Sequence, residues 1–296
     1  MSSRYFYDEK GSRIFEEIMK LPEYYLTNTE WDLLKKHKND ILEQVKGKPF
    51  QVVDLGAGDA KKTMVLLEHF YKNDADFEYV PIDINRDILE DIEATINNTI
   101  PELETIPVLA EYFDALKWIN ETRKSRKLVL FLGSNIGNFT KKAAVGFLSE
   151  MQHVLEEGDL LLIGIDLKKD PNEILRAYSD SQGVTAEFNL NLLRRINSEL
   201  GGNFDTDKWV HFANYNPITG SVKSFLVSCE SQEVSISSLR KTFKFEAFEA
   251  IHTEYSNKYD LKEIETMSKD CGFEQVQNYT SAEFPFSESL WRVIKR

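Results

Sequence analysis

The chain has 296 residues, with 49 acidic and 36 basic side chains giving a formal net charge of −13, and its residues are 42% hydrophobic and 12% aromatic. That apolar content can fill a sizeable core and excludes disorder as the main state. The acidic balance argues against nucleic acid as a main partner, because phosphate binding needs concentrated Lys and Arg. Cys229, Cys271 and five scattered histidines give neither a disulfide framework nor metal-ligand spacing. No apolar run approaches the ~20 residues of a membrane span. The polar first ten residues are no signal peptide. The expectation is a cytoplasmic globular protein, monomeric, with no bound metal.

Taken in chain order, 31–45 reads as a helix with a broken apolar stripe at Trp31, Leu34, Ile41, Leu42 and Val45. A short buried strand, 51–55, ends in Gly56-Ala57-Gly58. Helix 61–71 follows, then strand 78–84, helix 86–96 and a short strand at 106–109. The basic run 123–127 is read as a solvated turn before the apolar strand KLVLFLG, 127–133. Helix 141–155 leads through a Gly158 turn to the apolar strand DLLLIGIDL, 159–167. Apolar strands separated by helices predict a parallel sheet covered on both faces, doubly wound with right-handed crossovers. After residue 170 the pattern changes to turns and alternating pieces such as 221–228 and 239–250. Helix 260–271 and strands 273–279 and 289–294 restore the first pattern. The predicted organisation is a nucleotide-type α/β domain, 31–170 plus 256–296, interrupted by a second α+β domain formed by 171–255 together with 1–30.

The strand-to-loop turn Val53-Asp54-Leu55-Gly56-Ala57-Gly58 lets backbone approach a ligand closely. A dinucleotide fingerprint would need Gly at position 61, where Lys stands, and there is no P-loop pattern. Adenosine carried on methionine is the alternative ligand for such a turn. Asp83, ending the second strand beside it, can grip ribose hydroxyls; a cap on the next helix is the plainer reading. Gly133-Ser134-Asn135-Ile136-Gly137-Asn138 lies at the carboxyl edge of the sheet, where ligands bind; the plainer reading is a turn with Asn138 capping the next helix. Tyr5, Phe6, Tyr7, Phe15, Tyr24 and Tyr25 form an aromatic-rich N-terminal stretch that calls for a packing partner or a ligand. Glu254 and Ser256 alternate with Tyr255 and share one face of a strand, which suits either a donor-rich ring or water.

Together these stretches resemble the histidine-specific, S-adenosylmethionine (SAM)-dependent methyltransferases of ergothioneine biosynthesis. The resemblance is carried by YFYDEKGSRIFEEI, LPEYYLTNTE, VVDLGAGDAKKT, LFLGSNIGN, DLKKD, RAY, GVTAEFN and TEYSNKY, in order from residue 5 to 259. It implies a Rossmann-like class I methyltransferase domain with an inserted substrate domain, SAM as cofactor, and methylation of the α-amino nitrogen of L-histidine up to three times, giving hercynine. By position it also implies that Asn138 and Tyr178 bind the histidine carboxylate and that Glu254 and Ser256 bind the imidazole. Tyr24 then lines the pocket, and Gly133 and Tyr7 lie near the amine. Gly56, Gly58, Lys62, Asp83, Tyr112 and Phe113 make up the cofactor set. One departure is Tyr112-Phe113, where relatives often carry an acid before the Phe; here Glu111 stands one place earlier, and Phe113 is left to stack or pack there. Other substrates in the same frame are a tryptophan derivative, with its single ring N–H, or none, in a non-catalytic SAM-binding module. Lys61 disfavours a nicotinamide dehydrogenase.

Overall fold

A computed structural model describes residues 3–295. It divides into two compact units. One takes the residues up to Tyr25 with Lys168–Lys258, and the other takes Leu26–Leu167 with the chain from Tyr259 onward. Boundaries expected at 31, 171 and 256 thus fall at 26, 168 and 259. The first shift arises because the helix expected from Trp31 already begins at Tyr25, which carries residues 26–30 into the sheet unit.

Along the chain the elements are helix α1 (Glu9–Ile18), α2 (Tyr25–Val45), strand β1 (Phe50–Leu55), α3 (Lys61–Lys72), β2 (Phe77–Asp83), α4 (Arg86–Thr99), β3 (Val108–Leu109), α5 (Tyr112–Thr122), β4 (Arg126–Phe131), α6 (Lys141–Val154) and β5 (Leu160–Asp166). Then come α7 (Pro171–Tyr178), α8 (Val184–Leu200), β6 (Trp209–Asn216), β7 (Ser221–Ser228), β8 (Gln232–Ile236), β9 (Lys241–Phe245), β10 (Ala250–Asn257), α9 (Leu261–Asp270), β11 (Phe273–Ser281) and β12 (Phe286–Val293).

The larger unit is built on a seven-stranded sheet in the order β11-β12-β5-β4-β1-β2-β3. Strands β5, β4, β1, β2 and β3 pair in parallel, and β12 runs antiparallel to β5. The strand order reverses at β1 and β4, the place where open α/β sheets bind ligands beyond their carboxyl ends. Side chains alternate between two apolar layers. Val52, Leu128, Leu130 and Leu162 fall in one, and Val53, Val129, Phe131 and Ile163 in the other, so strands buried on both faces read as unbroken apolar runs.

The smaller unit packs α1 on α8. Phe6, Ile14, Ile18 and Leu21 bury against Phe188 and Leu192. A three-stranded antiparallel sheet, β10-β7-β6, and the β8-β9 hairpin complete it, with Trp209, Leu226, Val234 and Ile236 among their core.

Several elements differ from the expectation. Helix α5 was not predicted; its inward Ala115, Leu116 and Ile119 follow Tyr112 and Phe113, which the sequence presents as ligand residues. Helices α7 and α8 occupy ground expected to hold turns and strands. The asparagines in VTAEFNLNLLRRINSEL weaken helix propensity, but Phe188, Leu192 and Leu193 keep the helical spacing and are buried. The piece 239–250 is not one strand: a turn at Phe248, which adopts φ 68°, separates β9 from β10. The strand expected at 106–109 shortens to Val108–Leu109.

Candidate functional site

In the sheet unit, β1 runs into a turn where Gly56 and Gly58 adopt φ of 71° and 55°. The Gly56 N–H donates to the Ile82 carbonyl of β2 at 2.9 Å, fixing the turn against its neighbour. A Cβ at Gly56 would stand 2.7 Å from the Tyr112 hydroxyl, whereas one at Gly58 would meet nothing within 4 Å. Glycine is therefore required at both positions by conformation, with Tyr112 closing on one and open space beside the other. Asp83 ends β2. Its carboxylate accepts from the Asn85 N–H at 3.0 Å, and burial raises it above the usual carboxylate range while neighbouring backbone N–H groups oppose the shift. Asn85, not Asp83, caps α4, which leaves the Asp83 carboxylate for another role. Tyr112 packs edge-on against Phe131 and Phe147 at 6.1 and 6.2 Å; its buried phenol is pushed up to about 12, chiefly by desolvation. Phe113 packs on Phe147 at 5.3 Å.

The loop after β4 is held rigidly. Gly133 and Ser134 both adopt positive φ, at 77° and 54°. The Ser134 hydroxyl, buried, accepts from the Asp166 N–H at 2.9 Å, and Asn135 donates to the Leu132 carbonyl at 2.9 Å. A non-glycine residue in the left-handed region carries strain, here secured by that hydroxyl. Asn138 does not cap α6; Thr140 does, accepting from the Ala143 N–H at 3.2 Å. The Asn138 carboxamide makes no hydrogen bond to the described residues and is part-buried.

In the smaller unit Tyr7 and Tyr24 flank Phe15, with ring centroids 5.4 and 6.1 Å away, and Tyr7 also meets Phe188 edge-on at 5.7 Å. Asn189, next in α8, accepts from the buried Thr253 hydroxyl at 2.8 Å and ties that helix to β10. On β10, Glu254 and Ser256 lie opposite Ser224 and Val222, in regular register beyond a bulge at 252–254, so the two side chains share a face. The Glu254 carboxyl is raised to about 7, mainly by desolvation, against the opposing charge of Lys258. The Tyr178 and Ser256 hydroxyls lie 2.6 Å apart. Lys258, 0% exposed, donates to Tyr178 at 2.7 Å and Ser256 at 3.0 Å. An ammonium only donates, so both oxygens act as acceptors toward it.

The donor-site residues fit SAM. Asp83 carries two acceptor oxygens of the kind a vicinal diol donates to, the Gly58 turn leaves open space for close approach, and the Lys62 ammonium is of the charge that a carboxylate pairs with. Residues 1–293 match the model of a family described as histidine-specific methyltransferase, SAM-dependent. The chain belongs to this family. It is 34% identical to a histidine N-alpha-methyltransferase of Mycolicibacterium smegmatis, over 97% of this chain and 88% of that one. It is 32% identical to ergothioneine biosynthesis protein 1 of Neurospora crassa, over 93% of this chain and 31% of that one. A 4-dimethylallyltryptophan N-methyltransferase of Claviceps purpurea is 28% identical over 93% of this chain and 86% of its own. The protein is a SAM-dependent methyltransferase, and no helix among the described residues is long and apolar enough to cross a membrane.

Four polar residues at these sites were not singled out from the sequence. Lys258 stands in TEYSNKY, and its burial is a tertiary effect. Asp54, in the middle of an apolar strand, is raised to about 6 by burial although the Thr63 and Tyr79 hydroxyls donate to it at 2.7 and 3.1 Å. An acid inside such a strand is a visible signal. Glu30 and Glu288 are buried beside Lys62; only Glu30, closing LPEYYLTNTE, lies in a motif.

Proposed function

We propose that this chain methylates the α-amino nitrogen of L-histidine, up to three times to hercynine, as a step of ergothioneine biosynthesis. The observation that carries the reading is the Glu254–Ser256 face with its buried Lys258. An imidazole presents one N–H and one bare nitrogen, and this face supplies an ionisable carboxylate and a hydroxyl. With Lys258 donating to both oxygens, one hydroxyl hydrogen joins Tyr178 to Ser256 and the other is directed outward. Glu254 accepts the imidazole N–H and that outward hydroxyl donates to the other ring nitrogen. An indole offers a single N–H and leaves half of this arrangement unused, which disfavours a prenylated tryptophan.

SAM, when bound, supplies an electrophilic methyl on a sulfonium. The protein's task is to orient a neutral amine lone pair toward it, a problem of proximity and alignment. In the proposed assignment the Gly133 carbonyl and the Tyr7 hydroxyl accept from the amine and orient it, and the amine proton leaves to water. Asn138 donates to the substrate carboxylate, while the Tyr178 hydroxyl, its one hydrogen committed to Ser256, acts on the ring through that serine. Tyr7 and Tyr24, together on Phe15, give an aromatic surface that tolerates a growing ammonium cation. The reading takes the enzyme as a cytoplasmic monomer acting on a small molecule, a partner that a net charge of −13 suits better than nucleic acid.

Replacing Glu254 by Ala removes a charge-assisted hydrogen bond, worth roughly tenfold to a hundredfold in affinity. Calorimetric titration of histidine into the protein saturated with S-adenosylhomocysteine should show that loss. Unchanged histidine affinity would remove the imidazole assignment.

A further inference from the structure

Lys62, at the start of α3, is paired with an acid supplied by a distant part of the same unit. One carboxylate oxygen of Glu30 accepts from the Lys62 ammonium. The other accepts from the Gly133 N–H at 2.6 Å. Glu30 is 1% exposed. A single carboxylate from α2 therefore ties the first turn of α3, which follows the β1 loop, to the loop after β4, the segments proposed for the donor and for the amine.

Its seat explains a residue that the apolar run LLLIGID otherwise leaves unaccounted for. A Cβ at Gly164, in the middle of β5, would stand 2.1 Å from a Glu30 carboxylate oxygen and 3.2 Å from one of Glu288. Glu288 is the β12 residue paired with Gly164, so glycine leaves the space in which two acids approach. Glu288 is fully buried, and neither of its oxygens meets hydrogen-bond geometry with the described residues. Burial first, and then the Glu30 charge, push its carboxyl well up. Two neighbouring buried carboxylates beside one ammonium would leave an uncompensated negative charge, so Glu288 is the neutral member. Burial, the largest single effect, would lower the Lys62 ammonium, but the Glu30 charge and hydrogen bond, with smaller contributions from neighbouring acids, together outweigh it and raise it.

We propose that Glu30 is a positioning residue for the methyl donor: seated on Gly164, it holds the Lys62 ammonium and the Gly133 loop in the arrangement that binds the donor's amino-acid end. The inference rests on the assignment of the Gly56 loop and Lys62 to SAM. It is tested by calorimetric binding of S-adenosylhomocysteine, which needs no turnover and no histidine.

Glu30→Gln should lower S-adenosylhomocysteine affinity roughly tenfold to a hundredfold, the range for a hydrogen bond to a charged group. Glu288→Gln, which keeps the shape of a neutral acid, should lower it less than threefold. If Glu30 acts through Lys62, the effects are not additive: Lys62→Met should cost affinity in the wild-type chain and add less than threefold to Glu30→Gln. Glu30→Asp keeps the charge but is one methylene shorter and cannot span both partners, so it should lose affinity as well. Should Glu30→Gln fail to fold, Glu30→Asp and the Gly164→Ala variant, which crowds the seat, carry the same test. Full affinity in these Glu30 variants, additive losses with Lys62→Met, or a Glu288→Gln loss equal to that of Glu30→Gln would each overturn the proposal. A wild-type protein that does not bind S-adenosylhomocysteine would overturn the donor assignment itself, a distinguishable failure.

Discussion

In the proposed reading, Lys258 and Glu254 are the single residues that set what this protein recognises. Lys258 sits between two hydroxyls and over the Tyr178 ring, 4.6 Å from its centroid. Its donors leave that hydroxyl pair one hydrogen to share between them and one to direct outward, and its charge opposes the burial that neutralises Glu254. Lys258→Met should therefore weaken histidine roughly tenfold by loss of charged hydrogen bonds, with S-adenosylhomocysteine affinity unchanged; paired titrations with the two ligands would show it. Equal loss for both ligands would point to general unfolding. The pH response follows from Glu254. Its carboxyl, raised to about 7, is neutral below that pH, where free histidine with an ordinary imidazole pKa near ~6.5 carries a cationic ring. A neutral acid facing a ring with two N–H donors is a poor match. Histidine affinity should rise as pH passes upward through about 7 and then level, and Glu254→Gln should flatten that rise. Binding, not turnover, is the proper readout, because the substrate amine titrates as well.

At the scale of elements, helix ends and loop anchors hold the ligand-facing segments. Helix α9 begins with a reciprocal cap: the Asp260 carboxylate accepts from the Glu263 N–H and the Glu263 carboxylate from the Asp260 N–H, both at 2.9 Å. Asp260→Ala should cost about 1 kcal/mol of stability and leave S-adenosylhomocysteine affinity intact, as thermal melting with and without that ligand would show. The sequence makes this helix and the parallel strands legible because periodicity and caps are local. Helix α8 escaped for the opposite reason: its inward face becomes meaningful only against α1 and the turn before it, where Phe6 stacks on Phe188 at 5.1 Å. Helix α5 escaped because it is short, lacks a side-chain cap and shows only Ala115, Leu116 and Ile119 as its inward stripe, behind two aromatic residues that fit a ligand role as well as a helix start.

For the whole molecule, the order of strands and the separation of two cores decide where chemistry can be placed. The place of the glycine turn after β1 and of Asp83 at the end of β2 was readable from the strand-turn pattern, and the carboxyl ends of a parallel sheet are where a ligand edge forms. The residues proposed to face histidine were not readable from pattern alone; they came from a resemblance spread over the chain, and the chemistry of Glu254, Ser256 and Tyr178 gains sense once Lys258 is seen buried among them. The acid pair at Gly164 was illegible, since it joins α2, β5 and β12 across large sequence separations. The account as a whole stands on one reaction. Purified protein incubated with SAM and L-histidine, with the amino acid then resolved by mass spectrometry, should yield histidine carrying one, two and finally three added methyl groups on its α-nitrogen. Histidine recovered without methyl groups, while a tryptophan derivative under the same conditions is methylated, would contradict it.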